Sequence, residues 1–168
     1  SEMFSANIKG DVKFTDIPAV INNHLNHYFN FTDLKTTPVK KESEFTFDFN
    51  VNAPDSIIGI FNPDIKLKPF VLKGNYNGYE ENFKIDGNFP GILYGGNKLD
   101  SVHVDSHSDI ENMYYSVQLG GFKNKSVSLN KPLLEGKIHN NNIDIALTVL
   151  GTDTDKFIYG GTLKKVGP

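Results

Sequence analysis

Few side chains in this sequence have the type and spacing for chemistry. The run His103-Val104-Asp105-Ser106-His107 places two imidazoles and a carboxylate at every second position. On an extended strand such residues share a face about 6.5–7 Å apart, and His with Asp suits zinc. No further ligand accompanies them, so His103, Asp105 and His107 read foremost as the polar face of a strand that turns Val102 and Val104 inward. His24 and His27 stand three residues apart, a spacing that shares a helix face, and read as surface histidines. Glu80 and Glu81 are neighbours in a turn, a poor geometry for a paired acid and base. Asp153 and Asp155 flank Thr154, with too few oxygen ligands around them for calcium. No helix pattern follows Gly95-Gly96-Asn97, so it is a turn and not a phosphate cradle. No nucleophile elbow or triad is present. The residues therefore predict no catalytic group, no cofactor and no metal beyond the weak His103–Asp105–His107 candidate.

Composition narrows the function further. There is no cysteine, which removes disulfides, thiolate nucleophiles and Cys-based zinc sites. Every cation among the 17 Lys+Arg is lysine, and the net charge is −3, so neither the arginine fork nor the basic field of a nucleic-acid binder is present. No run approaches the roughly 18 apolar residues of a membrane helix.

The elements that would position these side chains are mostly strands. Phe4, Ala6, Ile8, Gly10, Val12 and Phe14 alternate with polar residues, the period of a half-buried strand. Asp16 as a cap, Pro18 in the first turn and Val20, Ile21, Leu25, Tyr28 and Phe29 at helical spacing predict an amphipathic helix over 17–29. A polar loop follows over 30–43. Asp55 or Ser56 as cap and Pro63 as stop predict a short helix near 55–61. From residue 69 to 166 the chain reads as strands joined by tight turns, an antiparallel meander.

Alternation assigns one apolar row to these strands. It runs through Phe45, Phe47, Phe49 and Val51, then Phe70 and Leu72, then Phe83, Ile85 and Phe89. It continues through Met113, Tyr115, Val117 and Leu119, then Ile143, Ile145, Leu147 and Val149, and ends at Phe157, Tyr159 and Leu163. Leu99 to Val104 is a less regular strand. Gly74, Gly87, Gly136 and Gly161 fall within strands, which suggests strong curvature or close backbone approach. A sheet with one apolar face can close as a barrel or sandwich around a core or ligand, or stay open with that face lining a trough.

A resemblance favours the open form. Phe-Lys-Ile-Asp-Gly at 83–87, followed by Ile92-Leu93-Tyr94-Gly95-Gly96-Asn97-Lys98-Leu99-Asp100-Ser101-Val102, resembles a stretch of the long TamB-like proteins of Bacteroidetes, within the AsmA-like group. The strand from Phe45, the Asp55–Pro63 segment and Phe70-Val71-Leu72-Lys73-Gly74-Asn75-Tyr76 are similar to that family, as is the strand and helix from Phe4 to Phe29. The resemblance implies one fragment of a longer repetitive β-groove protein, with 1–63 a strand–helix–strand–helix part and 69–166 the meander. The fold it implies is mainly β, an antiparallel meander curled into a U-shaped, taco-like sheet with an apolar concave face. It implies a periplasmic setting, with the parent anchored in the inner membrane by an N-terminal helix outside this internal segment. It implies a groove for phospholipid acyl chains, lined by the row above. A BamA-family outer-membrane barrel is implied as a partner for other parts of the parent. A structural or chaperone-like role in outer-membrane protein assembly is the alternative, and a closed ligand-binding barrel a second.

Overall fold

The computed structural model describes residues 3–30, 43–55, 62, 64–150 and 156–165. The opening alternation forms β1 (Phe4–Gly10), and a 3-10 turn at Phe14–Asp16 leads into α1 (Ile17–Tyr28). Pro18 occupies the first turn of α1 as expected, but Asp16 makes no side-chain capping bond. The strands that follow are β2 (Glu44–Val51), β3 (Ile65–Leu67), β4 (Phe70–Asn77), β5 (Asn82–Tyr94) and β6 (Asn97–Ser108). Then come β7 (Met113–Lys123), β8 (Ser128–His139), β9 (Asn142–Leu150) and β10 (Lys156–Lys164). The short helix expected near 55–61 falls largely outside the described residues. The described Asp55 accepts a hydrogen bond from the Leu67 N–H at 3.0 Å.

All ten strands join one antiparallel sheet in the order β1-β2-β4-β5-β6-β7-β8-β9-β10, with β3 on the far end of β5. The sheet is open: β1 and β10 stand at opposite edges, so neither barrel nor sandwich forms. The hairpin turns follow from residue type. Gly95 and Gly96 take φ of 54° and 80°, and Asn140 and Asn141 take 47° and 58°. Two consecutive left-handed residues match the twist of the strands they join, and Gly and Asn enter that region at least cost.

The curl follows from the helix. The apolar face of α1 packs Val20 against Phe45, Phe47, Tyr76 and Phe83, and Tyr28 against Met113 and Ile138. Eight residues of helix rise about 12 Å. The strands they join, β2 to β8, lie about 24 Å apart along a flat sheet. The sheet therefore wraps around the helix. Glycines permit the bend. A Cβ on Gly74 would collide with the Lys84 carbonyl oxygen and the Phe47 ring, and one on Gly136 with the Asp144 carbonyl oxygen. Phe47 and Tyr115 lie over these bare backbone positions directly across the ladder. Gly161 has no such neighbour, so close approach explains only some of the mid-strand glycines.

Candidate functional site

Strand register tests the apolar row directly, because residues opposite each other in a ladder share a face. Phe45, Phe47, Phe49 and Val51 face Tyr76, Gly74, Leu72 and Phe70. Leu72, Gly74 and Tyr76 face Gly87, Ile85 and Phe83, and Phe89 faces Val102. Val102, Val104, Ser106 and Ser108 face Leu119, Val117, Tyr115 and Met113. Met113, Tyr115 and Val117 face Ile138, Gly136 and Leu134, which face Ile143, Ile145 and Leu147. Leu163, Tyr159 and Phe157 face Ile143, Leu147 and Val149. Every residue assigned to the row by alternation thus lies on one face of one sheet. β1 extends it with Phe4, Ala6 and Ile8.

That face has two environments. At the end where α1 crosses, the row becomes core: Phe45 and Tyr28 are each 1% exposed, and Phe83 and Met113 are buried. Further along, Val104, Val117, Leu119, Leu147 and Val149 are only half-buried, and the packing clusters of α1 do not include them. Phe157, Tyr159 and Leu163 share the face but lie exposed on the edge strand. The arrangement is an apolar trough closed at one end by a helix.

A buried polar hub holds the helix there. His24 is 7% exposed, and its Nε2 lies 2.8 Å from Ser108 Oγ, which also accepts the Phe83 N–H at 2.9 Å. The Tyr28 hydroxyl donates to the Asp109 carbonyl oxygen at 2.6 Å. Burial first, and then the nearby His27 imidazole, lower the His24 pKa to about 4, with Glu81 opposing them. Burial also raises the Tyr28 hydroxyl. His24 is therefore a core histidine and not the surface one its type suggested. The signal was available: it lies four residues after Val20 and four before Tyr28, on the apolar stripe of the helix. His27 lies outside that hub, with Nε2 2.8 Å from the Ile110 carbonyl oxygen.

The polar face separates the other candidates. His103, Asp105 and His107 do share it, but His103 lies 3.6 Å from Asp86, and His107 lies 3.7 Å from Asp105 and stacks on Tyr114. Among the described residues no group of three His, Asp or Glu side chains is placed to hold a metal ion. Asp144 accepts from Thr162 and pairs with His139, and these two partners hold its carboxyl below the usual range. Asp153 and Asp155 lie outside the described residues.

One feature escaped the alternation. Leu67, Ile92, Leu99, Phe122 and Leu129 face one another in succession across β3 and β5 to β8. They are one residue out of phase with the main row. The change of phase falls at Pro90, Ser101 and Lys131, where Ser101 and Lys131 have φ of 51° and 43°. The irregular reading of Leu99 to Val104 has its cause there.

The site defines a class, an open antiparallel sheet with an apolar trough and a helix across one end. No family model matches the chain, and no curated protein or solved structure matches it. Among the described residues no helix is long and apolar enough to cross a membrane.

Proposed function

We propose that this chain is a non-catalytic segment that shields or conducts the acyl chains of phospholipid along its apolar trough. The supporting observation is the single largely apolar face, interrupted on β6 by Ser106 and Ser108, carried by ladder register from Phe4 on β1 to Leu163 on β10. Each methylene moved from water into such a trough is worth about 0.8 kcal/mol. An apolar wall makes no directional bonds, so a chain can slide along it without breaking any. The headgroup stays in solvent at the open side. The resemblance to TamB-like proteins extends the reading. The parent protein then bridges inner and outer membranes through the periplasm and meets a BamA-family barrel through parts outside this segment.

The test is photo-crosslinking in cells, with a photoreactive residue at Val117 or Leu147 in the trough and at Gln118 on the polar face as control. Phospholipid captured at Val117 and Leu147 and not at Gln118 is the expected result. Equal capture at all three positions, or capture at none, removes the proposal.

A further inference from the structure

The strand ends away from α1 carry charge that an acyl chain does not use. Ladder register sets Lys66, Leu93 and Lys98 abreast on β3, β5 and β6, with Leu67, Ile92 and Leu99 abreast in the next row inward. A cavity of about 320 Å³ lies against both rows, and Lys68, Asp55 and Asp100 also line it. The Lys68 stem passes over Gly91, where a Cβ would stand 3.5 Å from it. Both carboxylates are engaged: Asp100 pairs with Lys98 at 3.0 Å, and Asp55 accepts the Leu67 N–H. Among the described residues Lys66 and Lys68 have no ion-pair partner. Lys123 stands directly opposite Lys98, and like charges so placed repel. The turns at the other end, beside α1, are acidic instead, with Glu80, Glu81, Asp109 and Glu111.

We infer that this cavity is a phosphate site, which holds the headgroup of a phospholipid whose acyl chain lies in the trough. The inference rests on the lipid reading of the trough and adds the part of the lipid that is selected. Lysine binds phosphate as a point charge, and the cavity falls within the roughly 300–1,000 Å³ of small-ligand sites. The distances agree. The helix closes one end of the trough, so a chain lying along the strands emerges at the other. From Val104 to Lys98 on β6 the strand spans about 20 Å. The acyl chains of one leaflet span about 15 Å, half of a hydrocarbon core of about 30 Å. A chain whose tip abuts Val104 and Val117 therefore ends beside Leu99, and its headgroup meets the lysines. The acidic turns beside α1 repel a phosphate from the closed end, so charge and length give the lipid the same direction.

The experiment uses the whole 168-residue chain and two fluorescent probes, dioctanoyl phosphatidic acid and dioctanoylglycerol, each labelled on one acyl chain. Titration at low salt is expected to show the phosphatidic acid binding about fivefold or more tightly than the dioctanoylglycerol. The double substitution K66Q/K68Q lies at exposed positions and leaves the circular dichroism spectrum and the dioctanoylglycerol affinity unchanged, but abolishes the difference between the probes. K84Q/K156Q removes the same charge at exposed positions outside the cavity and preserves the difference. A large molar excess of glycerol 3-phosphate, which has the phosphate without the chains, leaves the labelled phosphatidic acid bound. Equal affinity for the two probes, a preference that survives K66Q/K68Q, or one lost in K84Q/K156Q overturns the headgroup site and leaves the trough reading standing. Displacement by glycerol 3-phosphate assigns the cavity to free phosphate esters and overturns it too. Binding of neither probe removes the trough reading together with the inference.

Discussion

Protonation of His24 should undock the helix from the trough. The imidazole is 7% exposed, and its pKa is lowered from 6.5 to about 4, chiefly by burial. A histidine whose folded pKa lies below its unfolded value binds more protons when unfolded. Stability therefore rises with pH through the window from about 4 to 6.5 and is lost as pH falls through it. Linkage over that shift removes about 1.4 kcal/mol by pH 5.5 and about 3 kcal/mol by pH 4, a large share of an ordinary domain's stability. Urea unfolding followed by far-ultraviolet circular dichroism at pH 7, 5.5 and 4 measures the loss directly. Carboxylates such as Asp109, held below the usual range by the backbone N–H groups of Asn112 and Glu111, also titrate on the acid side. The H24Q variant isolates the histidine: it retains an amide for Ser108 and has nothing to titrate near pH 6. The expected result is a loss between pH 7 and 4 that is about 3 kcal/mol smaller in H24Q than in the unsubstituted chain. Equal losses in the two proteins would refute the assignment of His24 as a buried neutral hub.

The glycines and the Asn141 turn give sharper local tests. Gly136→Ala drives a methyl into the Asp144 carbonyl oxygen and should cost about 2–3 kcal/mol in chemical unfolding, whereas Gly161→Ala meets no atom within 4 Å and should be neutral or stabilise by about 0.5 kcal/mol. Asn141 has a φ of 58°, its Oδ1 accepts the Asn30 N–H at 2.9 Å, and its own N–H donates to the Tyr28 carbonyl oxygen at 2.8 Å. Asn141→Gly removes only the side-chain bond and should cost about 1 kcal/mol, while Asn141→Ala adds left-handed strain and should cost about 2 kcal/mol more than the loss of a neutral partner alone would predict. Thermal denaturation of the two variants side by side reads that difference.

Much of the fold was legible because antiparallel strands wet on one side write their faces into the sequence with period two. Phe45, Phe47, Phe49 and Val51 announce β2, and Asn-Asn at 140–141 announces the turn between β8 and β9. Three things were not legible. β3 is only three residues long and lacks a pattern of its own, so its pairing with β5 is a tertiary fact. Ser106 and Ser108 stand in the apolar row by register, and nothing in their type says so; they are tolerated because Ser106 donates to the Tyr114 carbonyl oxygen and Ser108 meets His24 and the Phe83 N–H. The change of phase at Ser101 hides in a residue type with no strong preference for positive φ.

Alternation also assigns a face without assigning what covers it, and that distinction decides what the apolar row can do. Phe83 and Val117 belong to one row and to strands two apart in one sheet, yet Phe83 is 2% exposed beneath α1 and Val117 stays half-buried. The difference is set by a helix of 12 residues lying across one end of strands up to 13 residues long. Such a helix crosses the strands, so its width of about 10 Å covers only one end of them, which converts one part of the row into core and leaves the remainder as trough. Its docking in turn depends on a neutral, hydrogen-bonding side chain at position 24. Beneath α1 the burial of the row is therefore a property of the helix contact, whereas Val51 and Val102 are buried outside its clusters, and a variant that releases α1 should expose Phe45 and Phe83 to whatever occupies Val117 and Leu147. The crosslinking pattern gives the check: in H24Q at pH 7, where the helix stays docked, capture at Phe83 should remain absent while capture at Val117 persists.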